Sequence, residues 1–364
     1  MYSFVMEQDT SGHASDIPEH YAYVTRSLMR LFHEGKLSNV TAIDVEPNYG
    51  YTARITYTNE TYRVTYGNDL GLNPGAASDL AKDKGHTKFM LRTIGVNCPQ
   101  GKEFLLPWWA EQIGPSQQQR GNAKIKDTSM AADYIAEIIG YPAYIKPVDG
   151  SKGSGVTKVM QENELSAVFD EFSTKRVRVA IVEEAINMPD YRVVVLDGEL
   201  ISAYQRIPIT VTGDGKRSVA ELIDDLQQAY LATGRDTRFS SGDERFSLYL
   251  QRSERSLATI PEPGETVQLS DISNLSAGGT SVDVTETIHP RWIELATYVA
   301  KNFNLRLCGV DLACEDIADA EAEYSVLEVN AAPGLDHYAL SGMAQQEIVD
   351  KLYTRVFNAF PIRK

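Results

Sequence analysis

The sequence predicts a mixed helix-and-strand fold, α+β or α/β, built as several lobes behind a small N-terminal domain. Three observations lead there. The chain has 364 residues and is 43% hydrophobic, enough for two or three packed domains and too apolar for wholesale disorder. A turn-rich stretch, NDLGLNPGAAS, interrupts the pattern at residues 68–78. From about residue 79 onward, helix-like and strand-like stretches are intermingled.

The elements follow in order. Tyr21, Val24, Leu28 and Leu31 recur at helical spacing and predict a helix over 18–33. Residues 53–57 and 62–66 read as strands of a hairpin around Asn59-Glu60, completing a small separate unit. Residues 79–94 predict one helix ended by Gly95, and the polar stretch 111–128 predicts an exposed loop. Ser129 can cap a helix whose inner face is Ile135, Ile138 and Ile139, with Gly140 and Pro142 after it. Ser218 and Glu221 form a capping-box pattern opening a helix to about 231. Residues 232–265 are polar and read as an inserted mobile segment. Pro290 opens a helix to about 303, and a last helix covers about 343–357.

Composition narrows the function classes. Fifty acidic against 35 basic side chains give a net charge of −15, which argues against a surface that coats nucleic acid or anionic membrane. A polyanionic ligand must therefore meet a local positive pocket. No apolar run is long enough to span a bilayer. The start, MYSFVMEQDTSGHASDIPEH, lacks a secretory pattern. Cys98, Cys308 and Cys314 make no CxxC pair and read as reduced thiols of a cytoplasmic protein.

Four stretches carry chemistry. Lys146 lies in an apolar strand, where a lysine is costly without an anion. Gly150, Gly153 and Gly155, with Ser154 between the last two, let backbone N–H groups turn toward phosphate oxygens. No Gly-Lys-Ser/Thr leads into a helix and no G-x-G-x-x-G occurs there, so this is a glycine-rich flap and neither a Walker loop nor a dinucleotide fingerprint. An ordinary Gly/Ser hairpin is the competing reading. Next, Glu183 and Glu184 end a strand, and Asp190 and Arg192 share a face of the following one, before the hairpin turn Asp197-Gly198. An acid and an arginine facing one space suit a ribose hydroxyl and a phosphate, although a solvated ion pair has the same pattern.

The third stretch is the most informative. Residues 307–314 and 324–330 read as strands of a hairpin whose midpoint near Asp319 sets Asp311 opposite Glu328. Glu328 and Asn330 share a face, so three oxygen ligands converge as Mg²⁺ requires. In the fourth, Asn274, Gly278 and Gly279 belong to one loop able to line an anion, and Arg206 ends the strand leaving the Asp197-Gly198 turn.

Taken in order, these stretches resemble the ATP-grasp superfamily of carboxylate–amine ligases, and within it the ATP-grasp region of cyanophycin synthetase. IKPVDGSKGSGVT, PDYRVVV, RIPITVTGDGKRSVAELI, NLSAGGTSVDVTETIHP, CGVDLA and LEVNAAPG carry the resemblance, over about residues 79–345. Glutathione synthetase and D-alanine–D-alanine ligase share the pattern more distantly. The resemblance implies two α+β lobes gripping ATP: residues 79–181 with the flap, and residues 182–364 with a polar insertion at about 207–270, behind a domain of residues 1–78. It implies that Lys84 (or Lys88) and Lys146 bind phosphate, with Gly153, Ser154 and Gly155 over it. Glu183, Glu184 and the adjacent backbone would hold adenine, and Asp190 the ribose. Asp311, Glu328 and Asn330 would hold two Mg²⁺ ions, with Mn²⁺ as an alternative. Arg192, Arg206 and Asn274 would face the phosphates or the acyl group, and Gly278, Gly279, Asp336 and His337 the substrate.

The resemblance also has limits. Cyanophycin synthetase continues into a Mur-ligase-like domain, whereas this sequence ends at Lys364, so polymerase activity is not expected. The stretch after AAPG reads Leu335-Asp336-His337-Tyr338, where the relative typically has an arginine. An aspartate repels a carboxylate, which implies a different acceptor, one presenting an amine near Asp336. The expected partners are small-molecule or peptide substrates and a second copy of the chain, with no nucleic acid or membrane. A kinase on the same nucleotide site and a non-catalytic nucleotide-binding subunit are the rival readings.

Overall fold

The computed structural model describes residues 4–7, 17–118, 126–150, 155–235 and 237–361. The expected flap residues Gly153 and Ser154 therefore lie outside the described residues. Strands β1 (Phe4–Glu7), β2 (Val40–Val45), β3 (Thr52–Tyr57) and β4 (Tyr62–Tyr66) form an antiparallel sheet in sequential order. Glu60 takes φ 61° in the β3–β4 turn. Helix Tyr23–His33 lays Val24, Leu28, Leu31 and Phe32 on this sheet.

This N-terminal unit is not separate. Its apolar cluster continues through Leu352, Tyr353, Val356 and Phe357 of the last helix, Met343–Asn358. Arg30 pairs with Asp350 at 2.6 Å, and Arg63 donates to the Ala359 carbonyl at 3.0 Å. Asn73, inside the turn-rich break, donates to the carbonyls of Leu307 (2.8 Å) and Ala331 (2.7 Å) and accepts from the Arg306 amide (2.7 Å).

The next sheet contains β5 (Gly101–Leu105), β6 (Lys126–Asp127), β7 (Ala143–Pro147), β8 (Thr157–Val159) and β9 (Val179–Glu184) in the order β6-β5-β9-β7-β8. Helix Leu165–Thr174 covers it with Val168, Phe169 and Phe172. Three expectations here need correction. Residues 79–94 are not one helix: Gly75–Lys82 ends at Asp83, whose extended backbone and side chain, accepting from the His86 amide, cap a second helix, Lys84–Thr93. Residues 111–118 are not loop, because helix Pro107–Gln118 runs through them. Ile135 is fully buried, but Ile138 is 53% exposed, because residues Ile135–Ile139 wind as a π-turn that rotates the expected face.

The second five-stranded sheet contains β10 (Asp190–Leu196), β11 (Glu199–Ile207), then, beyond an insertion holding the pair β12 (Thr210–Thr212) and β13 (Thr266–Gln268), β14 (Thr280–Asp283), β15 (Leu307–Cys314) and β16 (Tyr324–Asn330). Its order is β14-β11-β10-β15-β16. Asp197 and Gly198 both take positive φ (51° and 86°), the twist a two-residue hairpin turn needs. Tyr191, Val193, Val195, Cys308, Val310 and Leu312 pack with Trp292, Ala296 and Val299 of helix Pro290–Asn302. Alternation then turns Asp190, Arg192 and Asp311 to the opposite face.

The insertion is not a featureless polar segment. Helix Val219–Ala232, with its Ser218/Glu221 capping box, and helix Glu244–Arg252 enclose a cluster in which Ile223, Phe246, Leu250 and Leu269 are fully buried.

Candidate active site

The carboxylate cluster sits where β10, β11, β15 and β16 meet. Asp311 pairs in register with Glu328 on one side and with Arg192 on the other, and Asp190 lies opposite Arg206. The Asp311–Glu328 register is the one the acidic loop's midpoint implies. A bulge follows: Asp311 opposes Glu328, yet Leu312 opposes Val326, leaving Leu327 unpaired. That extra residue lets Val326 and Val329 both enter the core while Glu328 and Asn330 turn to the site.

Asp311 is 2% exposed. Its carboxylate accepts from Arg192 Nε, from Arg192 Nη2 at 3.0 Å and from Arg206 Nη2 at 2.9 Å. Burial alone would raise its pKa, but the two guanidinium groups prevail and hold it below the usual range. Gly309 makes the Arg192 contact possible, since a Cβ there would lie 3.1 Å from Arg192 Cδ. Arg206 also donates to Asp190 Oδ1 at 2.7 Å, and the Ser273 hydroxyl donates to the other Asp190 oxygen. The Nε of Arg206 is buried without a hydrogen-bond partner.

Three lysines form the opposite wall. Lys84 donates to the Gly150 carbonyl at 2.5 Å and lies 3.2 Å from Glu328. Lys146 meets Glu183 at 2.6 Å, and Lys88 lies 3.4 Å from the other Glu183 oxygen and donates to the bulge carbonyl of Leu327 at 2.6 Å. Burial would raise the Glu183 pKa, but Lys146 and Lys88 bring it down to about 2. Burial and neighbouring Lys146 pull Lys88 down despite Glu183, whereas attraction to Glu183 outweighs burial at Lys146 and raises it.

Glu183 and Glu184, expected beside the adenine, have protein partners of their own. The Glu183 side chain is the counter-ion of two buried lysines, not a free acceptor. Glu184 accepts from the Gln100 amide at 2.7 Å. Both glutamates line one cavity together with residues 185–189.

Two cavities, each about 750 Å³, meet at the cluster, and Gly150, Arg206, Asn274 and Glu328 line both. The first runs past Lys84, Lys146, Asp190 and residues 184–189. The second runs past Arg192, Asn330, Asp336 and His337 to Tyr51, Tyr66, Asn68 and Asp69 of the N-terminal unit. Gly278 and Gly279 line neither: their carbonyls accept from Tyr230 (2.8 Å) and Arg235 (2.6 Å), and a Cβ on Gly279 would strike the Ser273 and Ile207 carbonyls. These glycines serve close packing, and Asn274, Leu275 and Ser276 face the cavity instead. Gly155 takes φ 71° and packs against Pro147.

A family profile described as "D-ala D-ala ligase C-terminus" matches residues 116–234. The cyanophycin synthetase of Geminocystis herdmanii is 34% identical over 265 residues, which is 70% of this chain and 28% of that protein. The glutathione biosynthesis bifunctional protein GshAB of Desulfotalea psychrophila is 25% identical over 258 residues, 68% of this chain and 30% of that one. The crystal structure of a bifunctional glutathione synthetase from Pasteurella multocida superposes with a TM-score of 0.57 at 23% identity, covering 93% of this chain and 45% of that one. The chain carries the ATP-grasp fold. It spans under a third of the length of these curated relatives.

Residues of both five-stranded sheets line the first cavity. Sequence reasoning named Lys88 as the alternative to Lys84 but missed its pairing with Glu183, and it missed Ser273 and the bridge from the insertion to β8. In that bridge Asp271 pairs with Lys158 (3.0 Å) and Arg252 (3.3 Å), and Arg252 donates to the Lys158 carbonyl (2.9 Å). Lys88 was detectable: it falls on the buried Thr87–Leu91 face of its helix. The bridge joins residues far apart in the chain, which no local pattern reveals.

Proposed function

We propose that the chain joins a carboxylate to an amine at the expense of ATP, through an acyl phosphate. One observation carries the reading: a buried, unpartnered guanidinium nitrogen, Arg206 Nε, sits beside a carboxylate cluster at the junction of two cavities. One cavity suits a nucleotide and the other an acid. The relatives named cyanophycin synthetase and glutathione synthetase support it.

The substrate carboxylate oxygen attacks the γ-phosphorus as the bond to the ADP oxygen breaks. The amine nitrogen then attacks the acyl carbon, the bond to phosphate breaks, and the amine proton leaves with phosphate or water. Lys84 and Lys146 neutralise the phosphates, the backbone of 184–189 receives the adenine, and Asp190 the ribose. Arg206 Nε donates to the oxyanion that develops, and Arg192 and Asn274 orient the acyl group.

The donor set fits Mg²⁺. Glu328 and the Asn330 amide offer hard oxygens beside Asp311, whose carboxylate also accepts from Arg192, Arg206 and Asn330 Nδ2, and among the described residues no three His, Cys, Asp or Glu side chains converge. An ion there would be completed by nucleotide phosphate oxygens, as Mg²⁺ commonly is, and would supply charge neutralisation. Mn²⁺ would be accepted by the same oxygens. No helix of the described residues is long and apolar enough to cross a membrane, and three free cysteines accord with a cytoplasmic ligase acting on small molecules or peptides.

The test is phosphate release with Mg²⁺ATP over paired acids and amines, with products read by mass spectrometry. A ligase needs both partners and yields an amide. Sustained release with a single acceptor that becomes phosphorylated would make the protein a kinase instead.

A further inference from the structure

The second cavity has two chemically different ends. At the inner end Arg206, 7% exposed, keeps an unpartnered Nε donor. An anionic group is the natural occupant. The outer end belongs to the N-terminal unit and the loop after Asn330. Tyr51 and Tyr66 stand there edge to face, 4.9 Å apart, yet 48% and 66% exposed. Asp69 and Asp336 stand with them.

The two segments are in close contact. A Cβ on Gly334 would lie 3.0 Å from Asn68 Nδ2 and 3.4 Å from Asp336 Oδ1. Among the described residues no lysine or arginine pairs with Asp69, whose carboxylate accepts from the Gly71 amide at 2.8 Å, or with Asp336. Of the basic residues at this end, Lys82 pairs with Asp79 at 2.9 Å, Arg238 is exposed, and His337 lines the cavity next to Asp336. Aromatic faces beside uncompensated carboxylates recognise a cation.

We propose that this cavity takes a carboxylic acid bearing a distal positive charge. Its carboxylate is drawn to Arg206, and its cationic group is held among Asp336, Asp69, Tyr51 and Tyr66. The N-terminal unit thereby contributes to substrate choice. The proposal rests on the ligase reading and deepens it, since the cavity would hold the acid that ATP activates.

The experiment titrates the full chain, with Mg²⁺ and a non-hydrolysable ATP analogue, against Nα-acetyl-lysine and Nα-acetyl-norleucine, which differ in the distal amine. The lysine derivative is expected to bind about tenfold more tightly, the worth of one modest charge contact. Asp336→Asn and Tyr66→Leu should each weaken the lysine derivative and leave the norleucine derivative unchanged. Tyr66 is exposed, so that variant keeps the fold should Asp336→Asn not. Equal or reversed affinities, undetectable binding of both acids, or a preference surviving both substitutions would overturn the proposal. The readout is binding, so it can fail while amide formation is still detected, and the converse.

Discussion

At the residue scale the site is organised by charge pairs that exclude one another's alternatives. Glu183 is held between Lys146 and Lys88 with almost no exposure. Glu183→Gln would leave two buried lysines without a counter-charge, which costs about 3–5 kcal/mol and should appear as a lower melting temperature. The pH response has a definite sign. The folded carboxyl titrates near 2 against an ordinary 4.5, so its contribution is present above about pH 4.5 and is lost as pH falls toward 2. Acid unfolding of the wild type should steepen across that window, and Glu183→Gln should lose the steepening. Lys146→Ala and Glu328→Ala should each reduce phosphate release by about 10²–10³; near-normal turnover in both would remove the site assignment. Asp311, Glu328 and Asn330 were legible because strand alternation and a hairpin midpoint fix their register. The duty of Glu183 was not, because its partner Lys88 comes from another element.

At the element scale, legibility followed local signals. The Ser218/Glu221 box, Pro290 and Asp197-Gly198 each specify a backbone geometry within four residues, and each occurs where it was expected. The split at Asp83 was hidden because a capping aspartate between two helical stretches leaves the apolar period almost unbroken. The insertion looked featureless because helix Glu244–Arg252 buries only Phe246 and Leu250 among polar neighbours. Phe246→Ala should cost about 3–5 kcal/mol in that cluster. Limited proteolysis should then cut within residues 207–270 much faster than in the wild type; equal cutting would mean the cluster does not hold the insertion together.

At the scale of the whole molecule, the turn-rich stretch marked the end of the N-terminal unit and the family resemblance implied two lobes, but the shared core was not visible. The last helix closes the hydrophobic cluster of the first sheet, a contact spanning more than three hundred positions that no window along the chain can report. A chain lacking residues 1–72 should therefore expose Leu352, Tyr353, Val356 and Phe357 and be recovered as aggregate; a soluble, cooperatively melting product would show that the lobes stand alone.

Asn73 has a mechanical corollary. Its amide clasps the strand carrying Asp311 and the loop leaving Asn330, so the front sheet and the rear lobe behave as a single anvil. Relative movement of the two would have to break the Asn73 contacts at residues 306, 307 and 331 together.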